Sequence, residues 1–465
     1  MFRDRRIPTL AAVLVAFTAL AAAAPLCAAD TTTPLAQKPE VAAAIEVFDA
    51  WVDWTARNRE QPAVSIGIVY DQDLIWAKGY GYADLAKKIP ATPATAYRIA
   101  SISKTFTAHA LLQLRDAGKL QLDDPITRWI SELKLSKVDP QSPPITIRHL
   151  LTHTSGIPRE VDGTYWNDMN FPSREAMLPV LARMGVVWAP EKEWKYSNVA
   201  VALAGYVVEA ASGEPYAEYV ARHILAPLGM SATRVIPPRD MPTLAVGYGR
   251  RVPGTPRRVE PFFNGAYMIP ASNLASTVED LAKYVELQFR TGAAGGAQIL
   301  KGSTLAEMQR VQWLQPDWKS GWGLGWGISR RDDQTRLGHG GSVPGHRTQV
   351  SFVPGEKFAV IVLTNAEDGR PSLYVNQAYA IVAPAIAKVR AKPPAENKGQ
   401  PAWQKYVGVY AWEDDEVHVA VLDGKLSMFD PAEDNPWASK VTLEPVSGNV
   451  FRQVGGDAAG ETVTF

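Results

Sequence analysis

The chain has 465 residues, 46% of them hydrophobic and 21% charged, which is the balance of a globular protein and excludes a disordered one. Lys and Arg together number 48 and Asp and Glu together number 48, so the net charge is zero and nothing marks nucleic acid as a partner. A chain of this length holds one large domain with a smaller one, or two to three modest ones.

At the N-terminus the arginines of "MFRDRRIPTL" precede the apolar run "AAVLVAFTALAAAAPL" and the small residues of "CAAD". This layout predicts a secretory signal peptide over residues 1–29, cleaved after Ala29, and hence a periplasmic or secreted bacterial protein. A membrane span is the competing reading, but the run is short and alanine-rich. Cys27 raises a lipid anchor, although Leu26 before it is bulky for such a cleavage site. No stable membrane anchor is expected after cleavage. Cys27 is also the only cysteine, so the mature chain has no disulfide and no thiolate, and its core must stabilise it alone.

In chain order, "AVSIGIV" (63–69) is β-rich and leads through "YDQD" into "LIWAKGYGYADL", which predicts a hairpin. A helix is predicted from Ser101 to Ala117, ended by Gly118. It opens Ser101-Ile102-Ser103-Lys104, and three residues of spacing put Ser101 and Lys104 on one face. That face is either a solvated first turn or a nucleophile beside its base. A second Ser-x-x-Lys, Ser131 to Lys134, lies in a polar segment and reads as solvated. The continuation after Lys104, "FTAHALLQL", must be buried, and burial favours a neutral lysine able to take the serine proton. Tyr196-Ser197-Asn198 precedes a helix from Val199 to Ser212, where Ser197 or Asn198 serves as a cap. A further helix is predicted from Pro215 to Ile224, and Ser276 with Glu279 forms a capping-box pattern. "LGHGGSVPGH" places His339, Gly340, Gly341 and Ser342 at a glycine-rich turn, and "RTQVSFVPGEKFAVIVLTN" gives two strands about Pro354-Gly355. Strands at both ends with helices between predict an α/β (α+β) fold, an antiparallel sheet built from both chain ends and flanked by helices.

Ser-x-x-Lys, Tyr-x-Asn and His-Gly-Gly follow one another in the order of the penicillin-recognising serine hydrolases. Around them, "RIASISKTFTA", "LDDPITRWI", "ITIRHLLTHTSGIP", "WKYSNVAVALAGYVVEAASG" and "SFVPGEKFAVIVLTN" are similar to the class C β-lactamase and D-Ala-D-Ala carboxypeptidase family, with its S12-type peptidases and family VIII esterases. The chain resembles that family over residues 42–389. The resemblance implies a β-lactamase/transpeptidase-like fold and an acyl-enzyme on Ser101. It makes Lys104 the proton acceptor, Tyr196 a proton relay, and Asn198 a hydrogen-bond partner of the substrate. His339, Gly341 and Ser342 would bind substrate, and the backbone N–H groups of Ser101 and Ser342 would form the oxyanion hole. Gly341 would let the substrate backbone approach closely. Class C β-lactamases usually carry lysine where this chain has His339. A histidine only partly charged near neutral pH argues against efficient β-lactam turnover.

The expected substrate is a small peptide, amide or ester. A D-Ala-D-Ala carboxypeptidase or D-aminopeptidase is the first reading, followed by a carboxylesterase, a β-lactamase and a non-catalytic penicillin-binding sensor. His109, His153 and His346 read as structural, with His153 pinning its loop. No histidine pair has ligand spacing, so neither metal nor cofactor is expected. Residues 391–402 form a Pro-containing linker, and residues 403–465 predict a small β domain with a hairpin at Asp423-Gly424. That domain resembles the lipocalin-like domains appended to some of these hydrolases. It stops at "GETVTF", either truncated in mid-strand or ending on its last strand.

Overall fold

The computed structural model describes residues 33–136, 140–163, 165–290, 292, 295–331, 334–391, 401–412, 415–422, 424–432 and 436–465. The predicted signal peptide with Cys27, and residues 392–400 of the predicted linker, lie outside the described residues. The chain divides into two compact units, Met1–Val382 and Ala383–Phe465.

The first unit is organised by nine antiparallel strands: β1 (Ala63–Tyr70), β2 (Asp73–Asp84), β3 (Ile89–Pro90), β4 (Trp313–Leu314), β5 (Ser320–Trp322), β6 (Gly327–Arg331), β7 (Gln334–Val343), β8 (His346–Val353) and β9 (Phe358–Thr364). Their order across the sheet is β3-β2-β1-β9-β8-β7-β6-β5-β4, so the two ends of the unit meet where β1 pairs with β9, Val64 opposite Thr364. "AVSIGIVY" and "FAVIVLT" are almost wholly buried, as unbroken apolar strands with both faces covered must be. Helix α1 (Pro39–Asn58) packs against β2, with Phe48 set edge-on to Trp76 at 5.6 Å.

Three further helices concern the site: α2 (Ser103–Asp116), α3 (Asn198–Ser212) and α4 (Val278–Gln288). The first ten residues of α2 are buried on every side, the pattern of a helix inside a core rather than on its surface. It packs on α3, and Phe106 stacks on Tyr284 of α4 at 4.1 Å. The predicted helix start at Ser101 is a single 3-10 turn, Ala100–Ile102, that leads into α2. Ala100 is held at φ 50°, a left-handed conformation that costs a non-glycine residue about 1 kcal/mol. Surrounding bonds hold it there: Tyr97 and Arg98 pair with Ser276 and Ala275, Ile99 N–H donates to the Leu274 carbonyl at 2.9 Å, and Leu274 N–H donates to Ser103 Oγ at 3.1 Å.

Of the two caps offered for α3, Ser197 serves, accepting from Ala200 N–H at 2.9 Å, while the cap of α4 differs from expectation. Thr277, not Ser276, caps α4, accepting from Asp280 N–H at 3.1 Å, because the Ser276 hydroxyl is bonded to Thr233. The predicted helix from Pro215 is α-helical over Tyr216–Val220 and widens into a π-turn over Ala221–Leu225. Ser131 and Lys134 are exposed outside any helix, as their polar surroundings predicted.

The second unit contains an antiparallel meander of six strands between Gly408 and Thr464, within the region where a small all-β domain was expected. Leu422 pairs with Lys425, placing the hairpin turn where Asp423-Gly424 predicted it. Tyr406, Val419, Leu426, Leu443 and Phe451 form its core.

Gly341 also has a packing role. A Cβ there would overlap the Ile99 carbonyl and Thr348 Oγ1, so the glycine lets β7 lie against the turn that carries Ser101. Thr348 Oγ1 seals the contact by donating to the Ile99 carbonyl at 3.1 Å. Gly341→Ala is expected to cost about 1–3 kcal/mol by overpacking, seen as a lower thermal unfolding midpoint. An unchanged midpoint would mean that the turn yields and that the packing is not the constraint.

Candidate active site

Lys104 lies one helical turn beyond Ser101, and its Nζ donates to Ser101 Oγ at 3.0 Å and to the Ala271 carbonyl at 2.8 Å. The lysine is 2% exposed. Burial in this helix core pushes its pKa down to about 7, with the nearby Glu160 carboxylate opposing the fall and the Arg159 guanidinium adding to it. Near neutral pH a large share of Lys104 is therefore an unprotonated amine, hydrogen-bonded to a serine hydroxyl.

The loop before α3 brings Tyr196 over this pair. Its ring lies 5.1 Å from Lys104 Nζ, and the Arg159 guanidinium also sits 5.1 Å from the ring centre. Burial raises the Tyr196 pKa to about 12, partly offset by its hydrogen bond with Ser101, so the phenol keeps its proton at neutral pH. Ser197 is turned away from the cleft. Its hydroxyl donates to the Pro158 carbonyl at 2.7 Å while capping α3, which removes it from substrate binding. Asn198 Nδ2 donates to Glu160 Oε1. His153 pins the loop as expected, its Nδ1 accepting from Ser197 N–H at 3.3 Å.

The opposite wall is β7. Its pairing with β6 ends at Gly338, and from His339 to Val343 only β8 pairs with it. The two-residue turn makes Val343 and His346 the closing hydrogen-bonded pair, so Ser342 and Arg347 form the next, non-hydrogen-bonded pair. The N–H and C=O of Ser342 therefore point to the open edge, the direction an oxyanion donor requires. On the far side, the Arg347 carbonyl accepts from Thr364 Oγ1 at 2.9 Å. His339 is buried, and that burial together with the Lys104 charge lowers its pKa to about 3. It is an uncharged imidazole rather than the partly charged one expected, with Nδ1 at 2.7 Å from the Gly340 carbonyl and Nε2 without a partner.

Ser101, Tyr196, Asn198, His339, Gly341 and Ser342 all line one cleft of about 1360 Å³ in the first unit. Lys104 stands behind its floor. Trp322 faces His339 at 5.6 Å, and Trp194 lies 5.3 Å from Trp322, so an aromatic wall borders the reacting groups. Among the described residues no group of three or more His, Cys, Asp or Glu side chains is placed to hold a metal ion. No described helix is long and apolar enough to cross a membrane.

A family profile described as beta-lactamase matches residues 20–383. The chain belongs to the beta-lactamase family. "Protein flp" of Staphylococcus aureus strain MW2 is 28% identical over 68% of this chain and 62% of its own length. "Penicillin-binding protein 4*" of Bacillus subtilis strain 168 is 25% identical over 64% of this chain and 66% of its own. This chain thus spans somewhat under two thirds of the length of these relatives. In three dimensions it is similar to an octameric penicillin-binding protein homologue from Pyrococcus abyssi, with a TM-score of 0.63, 24% identity, and coverage of 90% of this chain and 95% of that one. It is also similar to a D-stereospecific amidohydrolase from a Streptomyces species, with a TM-score of 0.59, 26% identity, and coverage of 73% and 98%. These likenesses show the β-lactamase-like fold.

The reading of the sequence did not single out Arg159, Glu160, Ala271 or the two tryptophans. Arg159 and Glu160 directly follow "SGIP", and Trp194 opens "WKYSN", so both lay beside stretches already quoted. The Ala271 carbonyl carries no side-chain signal.

If Lys104 acts as the base, the rate of Ser101 acylation should rise with pH through a midpoint near 7, as its ammonium loses its proton. Arg159→Ala should move this midpoint upward, because a neighbouring positive charge that disfavours the ammonium is gone. The midpoint is read from the acylation burst with p-nitrophenyl acetate as a function of pH; a downward shift would contradict the assignment.

Proposed function

We propose that this chain is an exported serine hydrolase that cleaves amide or peptide bonds through an acyl-enzyme on Ser101, of the D-Ala-D-Ala carboxypeptidase or D-aminopeptidase type. One observation carries the reading: a lysine amine with a pKa of about 7 lies 3.0 Å from the Ser101 hydroxyl. The similarity to a D-stereospecific amidohydrolase supports the amide side of the proposal. Export rests on the composition of residues 1–29 alone.

In the proposed reaction Lys104 Nζ takes the Ser101 proton as Oγ bonds to the substrate carbonyl carbon. The oxyanion lies between the N–H groups of Ser101 and Ser342, each such donor contributing about 3 kcal/mol in the transition state. Tyr196, a neutral phenol, donates its proton to the departing nitrogen and recovers one from the Lys104 ammonium. The C–N bond breaks and leaves an ester on Ser101. Water then attacks that ester, its proton passing to the same pair of groups, and the acid is released with Ser101 restored.

Carboxylesterase activity is the second reading, favoured by the uncharged His339, since a neutral ester needs no cation on β7. The same feature weighs against a β-lactamase and against the carboxypeptidase form of the proposal, since both substrates carry a carboxylate, and so favours the aminopeptidase form.

Benzylpenicillin or a p-nitrophenyl ester should add an acyl mass that maps to Ser101, and Ser101→Ala should abolish the adduct while leaving the thermal unfolding midpoint in place. Lys104→Ala should slow acylation by about 10²-fold or more. An adduct surviving in Ser101→Ala would overturn the mechanism. Export predicts that the protein recovered from the periplasm begins at Asp30.

A further inference from the structure

In the reaction proposed above Tyr196 hands its proton to the departing nitrogen, so whatever that nitrogen carries is released beside the Tyr196 ring. The surroundings of that ring are aromatic. Trp194 lies 6.2 Å from it, Trp322 6.1 Å and His339 6.3 Å, and Trp322 meets Trp194 at 5.3 Å and His339 at 5.6 Å. All four side chains line the cleft of Ser101, and the three larger ones are only half-buried, so their rings keep free area to offer a ligand. One buried residue props them: His153 packs 4.3 Å from Tyr196, 5.0 Å from Trp322 and 5.9 Å from Trp194. Gly327 leaves room for the Trp322 indole, since a Cβ there would come within 3.2 Å of its ring. None of these rings carries a charge. Burial and the Lys104 charge hold His153 and His339 neutral, and Tyr196 keeps its proton.

We propose that Trp194, Tyr196, Trp322 and His339 form the pocket for the leaving group, and that it selects amides and peptides whose departing amine carries an aromatic ring. The inference rests on the acyl-enzyme at Ser101 proposed above and concerns the half of the substrate that is lost. A flat ring suits this pocket because it can stack on one indole while setting its edge against another, and neither contact needs a charge. A small aliphatic amine leaves those faces to water. The preference belongs to acylation, because the acyl-enzyme is the same whichever amine has left.

A pocket that releases an amine also receives one, so the acyl-enzyme can be trapped from the same side. The free amine attacks the ester carbon, its proton passes through Tyr196 and Lys104 to Ser101 Oγ, the ester C–O bond breaks and an amide is released. Acetyl-enzyme made with p-nitrophenyl acetate is offered benzylamine, cyclohexylmethylamine and n-propylamine at equal concentrations of unprotonated amine, and the acetamides are measured by mass. The direct reaction of ester with amine, measured with Ser101→Ala, is subtracted. Benzylamine is expected to be acetylated at least about tenfold faster than n-propylamine and about threefold faster than cyclohexylmethylamine. In Trp322→Ala and Trp194→Ala the tenfold ratio is expected to fall below about threefold, while Trp322→Phe keeps it. The ratio is taken within each protein, so differences in the amount of acyl-enzyme cancel. Equal trapping of benzylamine and either aliphatic amine, an undiminished ratio in Trp322→Ala, or acetate released with no amine trapped overturns the inference and leaves the acyl-enzyme standing. Failure to acetylate Ser101 sinks the acyl-enzyme reading and this inference together.

Discussion

The site depends on the burial of one amine. An ammonium taken out of water without a carboxylate in contact is so costly that the group sheds its proton instead, and Lys104 has only a serine hydroxyl and a backbone carbonyl as partners. The neighbouring architecture serves this placement. α2 is buried on every side around its first turns because it is a core helix, and this excludes the water that would stabilise the charge. The chain from Pro270 to Ser276 fastens the start of α2: Ala271 takes a lysine hydrogen bond, Pro270 accepts from Thr107 Oγ1 at 2.6 Å, and Leu274 and Ala275 hold the turn that carries Ser101. The strained Ala100 is the local cost of turning from an extended segment into α2 at that point.

What was legible in the sequence is what linear spacing encodes. Three residues along a helix put Lys104 against Ser101, and two along an extended segment put Tyr196 and Asn198 in one wall. Glycines beside a histidine marked His339–Ser342 but read as a turn, whereas these residues lie within β7 and the turn follows at Pro344-Gly345. The sheet built from both chain ends was legible because "AVSIGIV" and "FAVIVLT" are strands that both need cover. The parts that were not legible act through space. Glu160 matters because Asn198, Tyr267 and Trp166 converge on it from segments distant in the chain, and no local pattern marks that convergence. Gly341 was noticed as a glycine facing the substrate, and only the packing shows a second role, with Ile99 where its side chain would go. The cap of α4 moved by one residue, from Ser276 to Thr277, because Ser276 had a partner in Thr233, a competition that propensity does not register.

His339 stands on β7 where class C β-lactamases usually carry lysine, and the same charge arithmetic bears on it. A lysine at position 339 would be a second cation near Lys104, favouring the neutral amine and offering a fixed charge to a substrate carboxylate. His339 does neither, because burial and Lys104 itself hold it uncharged. The cation has not been lost from the neighbourhood, however. Arg159, on the loop opposite β7, lies over Tyr196, depresses Lys104 and also lowers the Tyr196 and His153 values. A positive charge on either wall serves the base equally well, since its effect depends on distance and not on direction. Its effect on a substrate is directional: a charge on β7 meets one part of a bound molecule and a charge above Tyr196 meets another. A charge on the loop rather than on the strand therefore favours the neutral Lys104 amine in the same way while meeting a different part of whatever the cleft holds.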